Sequence, residues 1–129
     1  MSGQVEKYLE WFEKAEKDFI SAKILIENKG FPETIAFLSQ QTIEKYLKGY
    51  LLYMKETIPL IHDVFVLCKK SASHNKGFEQ FYDDCKFLNA FYIEARYPMD
   101  FPVNIKDEDG ERTFDIADRV IRFVKSIVR

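Results

Sequence analysis

Cysteine is scarce in this chain. The two present, Cys68 and Cys85, fall in different predicted helices without histidine ligands near them, which excludes a zinc site and reads as a pair of buried free thiols. Neither sign of charge dominates: the net charge of −2 exerts no whole-protein attraction on polyanions, which weighs against indiscriminate nucleic-acid binding and leaves room for a local basic patch. No apolar run approaches the ~20 residues that cross a bilayer. The opening Met1-Ser2-Gly3-Gln4-Val5-Glu6-Lys7 has neither the cationic start nor the apolar core of an export signal, so a soluble cytoplasmic protein with no membrane contact is expected. Also absent are a glycine-rich phosphate loop, paired metal-binding carboxylates and a serine-nucleophile motif. No metal and no certain cofactor is expected, and a nucleotide is the one ligand in view.

What is present is amphipathic helix. A length of 129 residues with 47% apolar and 31% charged content suits one globular domain spanning residues 1–129. From 4 to 28, Val5, Tyr8, Leu9, Phe12, Ala15, Phe19, Ala22 and Ile26 recur at three-and-four spacing, and Gly30 ends the pattern. Pro32 opens a second helix running to 55. Its broad buried face is Ile35, Leu38, Ile43, Tyr46, Leu47, Tyr50, Leu51 and Met54, and Gln41, Glu44, Lys45 and Lys48 gather in a narrow polar stripe opposite.

Thr57-Ile58-Pro59 breaks the period, and His62-Asp63 starts a short helix through Cys68, with Asp63 suited to capping it. Residues 71–77 read as polar linker. A fourth helix over 78–92 carries Phe78, Phe81, Tyr82, Cys85, Leu88 and Tyr92 on one side and Phe87 and Phe91 on the other, so it needs cover from a loop or a second subunit. Residues 96–112, with Pro98, Pro102 and the acidic Asp107-Glu108-Asp109-Gly110, show no helical period and read as a long loop. A final helix covers 113–128. With no strand pattern or internal repeat, the fold class is all-α, an antiparallel up-and-down bundle of about five helices.

Four pieces stand in order along the chain: Trp11, Ala15 and Asp18; then Gln41-Thr42-Ile43-Glu44-Lys45-Tyr46-Leu47-Lys48; then His62-Asp63; then Ala95-Arg96-Tyr97-Pro98. In that order and spacing the chain resembles the HEPN family, named for nucleotide binding in higher eukaryotes and prokaryotes. The resemblance implies a helical bundle that dimerises, and a small nucleotidyltransferase as partner in a two-component, toxin–antitoxin-like pair. Many HEPN proteins are metal-independent ribonucleases that use an arginine with a histidine four to six residues later. Here no histidine follows Arg96, so cleavage of RNA would have to use His62 instead.

Each candidate has a functional and a structural reading. Arg96 and Tyr97 stand where the fourth helix gives way to the long loop, a place from which a guanidinium grips phosphate and a phenol stacks on a base; equally, Arg96 pairs with an acid such as Asp63 and Tyr97 packs. His62 suits acid–base work or phosphate contact, or else anchors its loop. His74 reads as an exposed linker residue. The Gln41, Glu44, Lys45 and Lys48 stripe lines a nucleotide cleft, or is a solvated face with Gln41–Lys45 and Glu44–Lys48 contacts. Phe87 and Phe91 are candidates for a dimer or partner interface, the basis of a purely structural adaptor as a further alternative.

Overall fold

A computed structural model of the chain describes the backbone of residues 3–96 and 105–128, and side chains over 7–90 and 105–128. Its order is α1 (Gly3–Glu27), α2 (Pro32–Tyr53), α3 (Val64–Ala72), a 3₁₀ segment (Lys76–Phe81), α4 (Tyr82–Arg96) and α5 (Asp107–Ile127). There is no strand among the described residues, and none of the described helices is long and apolar enough to cross a membrane. The all-α bundle expected from the periodicity is the fold.

α2 is the axis of the bundle. It packs against α1, α5, α3 and α4, and its Ile43, Tyr46, Leu47, Tyr50 and Leu51 are all buried. Side chains of this size each contribute about 1.5–3 kcal/mol when taken fully from water. The approach of α1 is set by Gly49, where a Cβ would lie 2.6 Å from the Phe12 ring. Phe12 stacks on Tyr46 with ring centroids 4.9 Å apart. Along α1 the inward line is carried by Phe12, Ala15, Phe19 and Ala22. Leu9, expected on that line, lies past its edge and is 53% exposed.

Both ends of the α1–α2 hairpin close through a left-handed lysine. Lys29 has φ 57, and the Gly30 and Lys29 N–H groups donate to the Leu25 and Ile26 carbonyls at 2.6 and 3.2 Å. That pair of bonds caps the last turn of a helix. Lys55, φ 66, repeats it, with Glu56 and Lys55 donating to Leu51 and Leu52 at 2.9 Å. Because Lys55 has left the helical region, α2 stops at Tyr53 rather than at 55.

Three boundaries differ from expectation. The acidic run at 107–110 is not a turn but the start of α5, because its carboxylates meet unpaired amides at the positive end of the helix. The Lys106 N–H donates to Asp109 Oδ2 at 2.9 Å. Gly110 lets α5 rest on the start of α2, where a Cβ would be 3.2 Å from Pro32 Cα. Residues 71–77 are not all linker. Ser71 is fully buried inside α3, donating to the Leu67 carbonyl at 2.9 Å, and Asn75 Oδ1 accepts the Gly77 N–H at 2.8 Å to open the 3₁₀ segment. Phe78 and Phe81 accordingly belong to that segment, and α4 begins only at Tyr82.

Candidate functional site

Residues four apart on a helix share a face, so Gln40, Glu44 and Lys48 form one line along α2. Polar residues opposite an apolar face ordinarily meet water. Here α2 is surrounded, and the Glu44 and Lys48 side chains are only 5% and 7% exposed, while Gln41 and Lys45 are half-buried. The expected outward stripe is therefore largely interior. Lys48 Nζ donates to Glu44 Oε2 at 2.9 Å, and His62 Nδ1 lies 2.9 Å from the same oxygen. The imidazole is 61% exposed, so the cluster runs from a buried carboxylate to solvent. Lys45 leaves it for Asp18 of α1, its Nζ 2.5 Å from Asp18 Oδ2.

A carboxylate removed from water needs its lone pairs occupied. Glu44 Oε2 accepts two charge-assisted contacts, whereas Oε1 has no hydrogen-bond partner among the described residues. Gln40 Nε2 and Ser39 Oγ are likewise buried and, among the described residues, unpartnered. Each such atom costs about 1–3 kcal/mol. An unused acceptor and an unused donor thus sit one turn apart on the same side of α2. Trp11 of α1 borders the cluster, with Lys48 Nζ 5.9 Å from its ring centroid.

The other candidates fall around this centre. Asp63 caps α3, its Oδ1 accepting the Val66 N–H at 3.0 Å, and it also accepts Asn89 Nδ2 of α4 at 2.8 Å. The carboxylate next to His62 therefore ties α4 to the loop that carries the imidazole. Arg96 is the last residue of α4; its side chain, that of Phe91, and the whole of Tyr97 and of the segment with Pro98 and Pro102 lie outside the described residues. Phe87 is half-buried, and the Arg112 guanidinium of α5 lies 3.6 Å over its ring. The cover that Phe87 requires thus comes from this chain.

His74 is exposed as expected, yet its ring pairs with Glu56 and meets the Tyr50 ring edge-on. The two thiols are in contact. Cys68 Sγ donates to the Phe78 carbonyl at 3.2 Å, and the hydrogen bond to Cys68, with burial, pushes the Cys85 thiol far up. Both effects hold Cys85 protonated and unreactive. Among the described residues no three His, Cys, Asp or Glu converge as a metal site requires.

Sequence reasoning overlooked Gln40, Ser39, Trp11 and the Asp18–Lys45 pair as parts of the site. The four-residue step from Gln40 to Glu44 was a legible signal for the first. Trp11 and the Asp18–Lys45 pair depend on how α1 lies against α2, which no local pattern encodes.

A family model described as the HEPN domain matches residues 8–127. The crystal structure of an archaeal HEPN homologue superimposes with a TM-score of 0.75 over 95% of this chain and 98% of that one, at 23% identity. At that identity the likeness speaks for the fold. No curated protein matches the chain.

Proposed function

The chain belongs to the HEPN domain family, and from that premise we propose that it binds a nucleotide at the Glu44, Lys48 and His62 cluster, as the partner subunit of a small nucleotidyltransferase. In this reading it is a cytoplasmic homodimer within a two-component, toxin–antitoxin-like pair. One observation carries the nucleotide half: a buried carboxylate holds an ammonium and a solvent-facing imidazole on one oxygen while its other oxygen has no partner among the described residues. Lys48 and His62 supply cationic and hydrogen-bonding groups toward phosphate. Glu44 Oε1 and Gln40 Nε2 offer the acceptor and donor that a base edge would use. The nucleotidyltransferase half draws on the family resemblance and on the lack of a self-sufficient catalytic motif.

Calorimetric titration with ATP, GTP and AMP should give saturable heat, weakened in Glu44→Gln, His62→Ala and Arg96→Ala. Absence of heat at millimolar ligand would remove the nucleotide half. Co-expression with a nucleotidyltransferase from the neighbouring reading frame should give one complex on gel filtration, and two separate peaks would remove the partner half.

A second reading, an RNA-cleaving toxin, is favoured by the 2.9 Å contact of His62 Nδ1 with Glu44. A carboxylate on Nδ1 selects the tautomer and orientation in which Nε2 is the proton-transferring atom. Induced expression that leaves growth and RNA intact, for the natural chain and His62→Ala alike, would dispose of it.

A further inference from the structure

On α1, Lys7, Trp11 and Lys14 follow one another at steps of four and three residues and so share one side of the helix. With Glu10 they line an open concavity of about 200 Å³. Trp11 is half-buried and held in place from behind by the close α1–α2 contact, since its Cβ would lie 3.2 Å from a Cβ at Gly49. Lys48 reaches the same indole from α2. Unlike Lys17, which pairs with Glu13 at 4.0 Å, neither Lys7 nor Lys14 forms an ion pair among the described residues. Glu10 and Lys14, four residues apart on α1, also form no ion pair among the described residues. Two ammonium groups without an ion pair among the described residues therefore flank a half-buried indole whose Cβ sits against α2.

An aromatic platform between lysines suits a ligand with a flat ring and an attached anion. Base–aromatic stacking is worth about 1–3 kcal/mol per base and is tolerant of base identity, and lysines alongside neutralise phosphate at a cost in salt sensitivity. We propose that Trp11, Lys7 and Lys14 form a stacking subsite for one nucleobase and its phosphate, joined through Lys48 to the Glu44 and His62 cluster. The site thereby takes a nucleotide or the end of a single RNA strand lying across α1 onto α2. This inference rests on the reading of that cluster as a nucleotide site, with Lys48 common to both.

Trp11 is the only tryptophan in the chain, so its emission reports the subsite directly. Titration with AMP should quench it saturably, inorganic phosphate alone should not, and an oligoadenylate hexanucleotide should quench at lower concentration and lose effect as salt rises. Lys7→Ala with Lys14→Ala should raise the half-saturating AMP concentration about ten-fold. Both lysines are exposed, so this variant keeps the fold, checked by circular dichroism. Heat on AMP titration without any change in Trp11 emission would overturn the subsite and leave the cluster reading standing. Quenching that persists in Glu44→Gln, His62→Ala and Arg96→Ala with unaltered heat would uphold the subsite and sink the cluster reading. Equal quenching in the double lysine variant would overturn the phosphate assignment, and absence of both heat and quenching would overturn both.

Discussion

The two sides of α2 are equally dry but differently satisfied. Toward α1 and α5, Ile43, Leu47, Tyr50 and Leu51 are buried in the apolar core, and the Tyr46 hydroxyl there meets Glu16. Along the line of Gln40, Glu44 and Lys48, burial is as deep, yet three polar atoms in or beside that line, on Ser39, Gln40 and Glu44, have no partner among the described residues. Burial alone thus fails to separate scaffold from site. Unsatisfied polarity is concentrated on the polar line, with Glu16 Oε2 of α1 the other buried orphan among the described residues, and each such atom costs about 1–3 kcal/mol.

The contrast is most severely tested at Lys48. Lys48→Met should destabilise by roughly 3–5 kcal/mol in urea denaturation, because it leaves Glu44 buried without its ammonium. Glu44→Leu with Lys48→Met should recover most of that loss while abolishing nucleotide heat. A double variant as unstable as the single would show that the polar line holds the fold together after all. Next in size, Gly49→Ala on the apolar side should cost about 1–3 kcal/mol, since the added methyl meets the Phe12 ring at 2.6 Å. Unchanged stability there would mean that α1 moves away freely.

A pH series sharpens the apolar side further. Burial, then the negative charge of Glu16, raises the Tyr46 hydroxyl above its ordinary 10.0. The folded chain keeps that proton where the unfolded chain releases it. Stability from this group is therefore full below pH ~10 and declines as pH climbs above it. Melting temperature should fall on that alkaline limb and fall less steeply in Tyr46→Phe; identical limbs would exclude Tyr46 as the cause. The smallest effect belongs to Asp63→Ala, about 1 kcal/mol from the lost cap. It also releases Asn89, so nucleotide heat should drop more than stability, and an unaltered affinity would detach α4 from the site.

Much of this was legible beforehand. Five amphipathic segments gave the bundle, and Asp63 before an apolar run gave the start of α3. The order of Trp11, Glu44, His62 and Arg96 gave the family resemblance. The failures share a cause. The charges at 107–109 look like a turn by propensity, but the helix terminus and the contact of Gly110 with Pro32 reverse the preference. Glu44 and Lys48 look solvated because one helix in isolation has an outside. Beyond its first turn α2 has almost none, being packed by four neighbours. Phe87 looked uncovered because Arg112, its cover, is 25 residues further along the chain.

The two lysines that close the hairpin helices bear on heat tolerance. A left-handed residue with a Cβ carries an intrinsic torsional cost of roughly 1–2 kcal/mol, and Lys29 and Lys55 each sit there. Glycine at either place would relieve that cost, offset in part by a looser unfolded chain. The molecule thus carries a thermostability dial at two surface corners, adjustable without altering any residue of the binding chemistry.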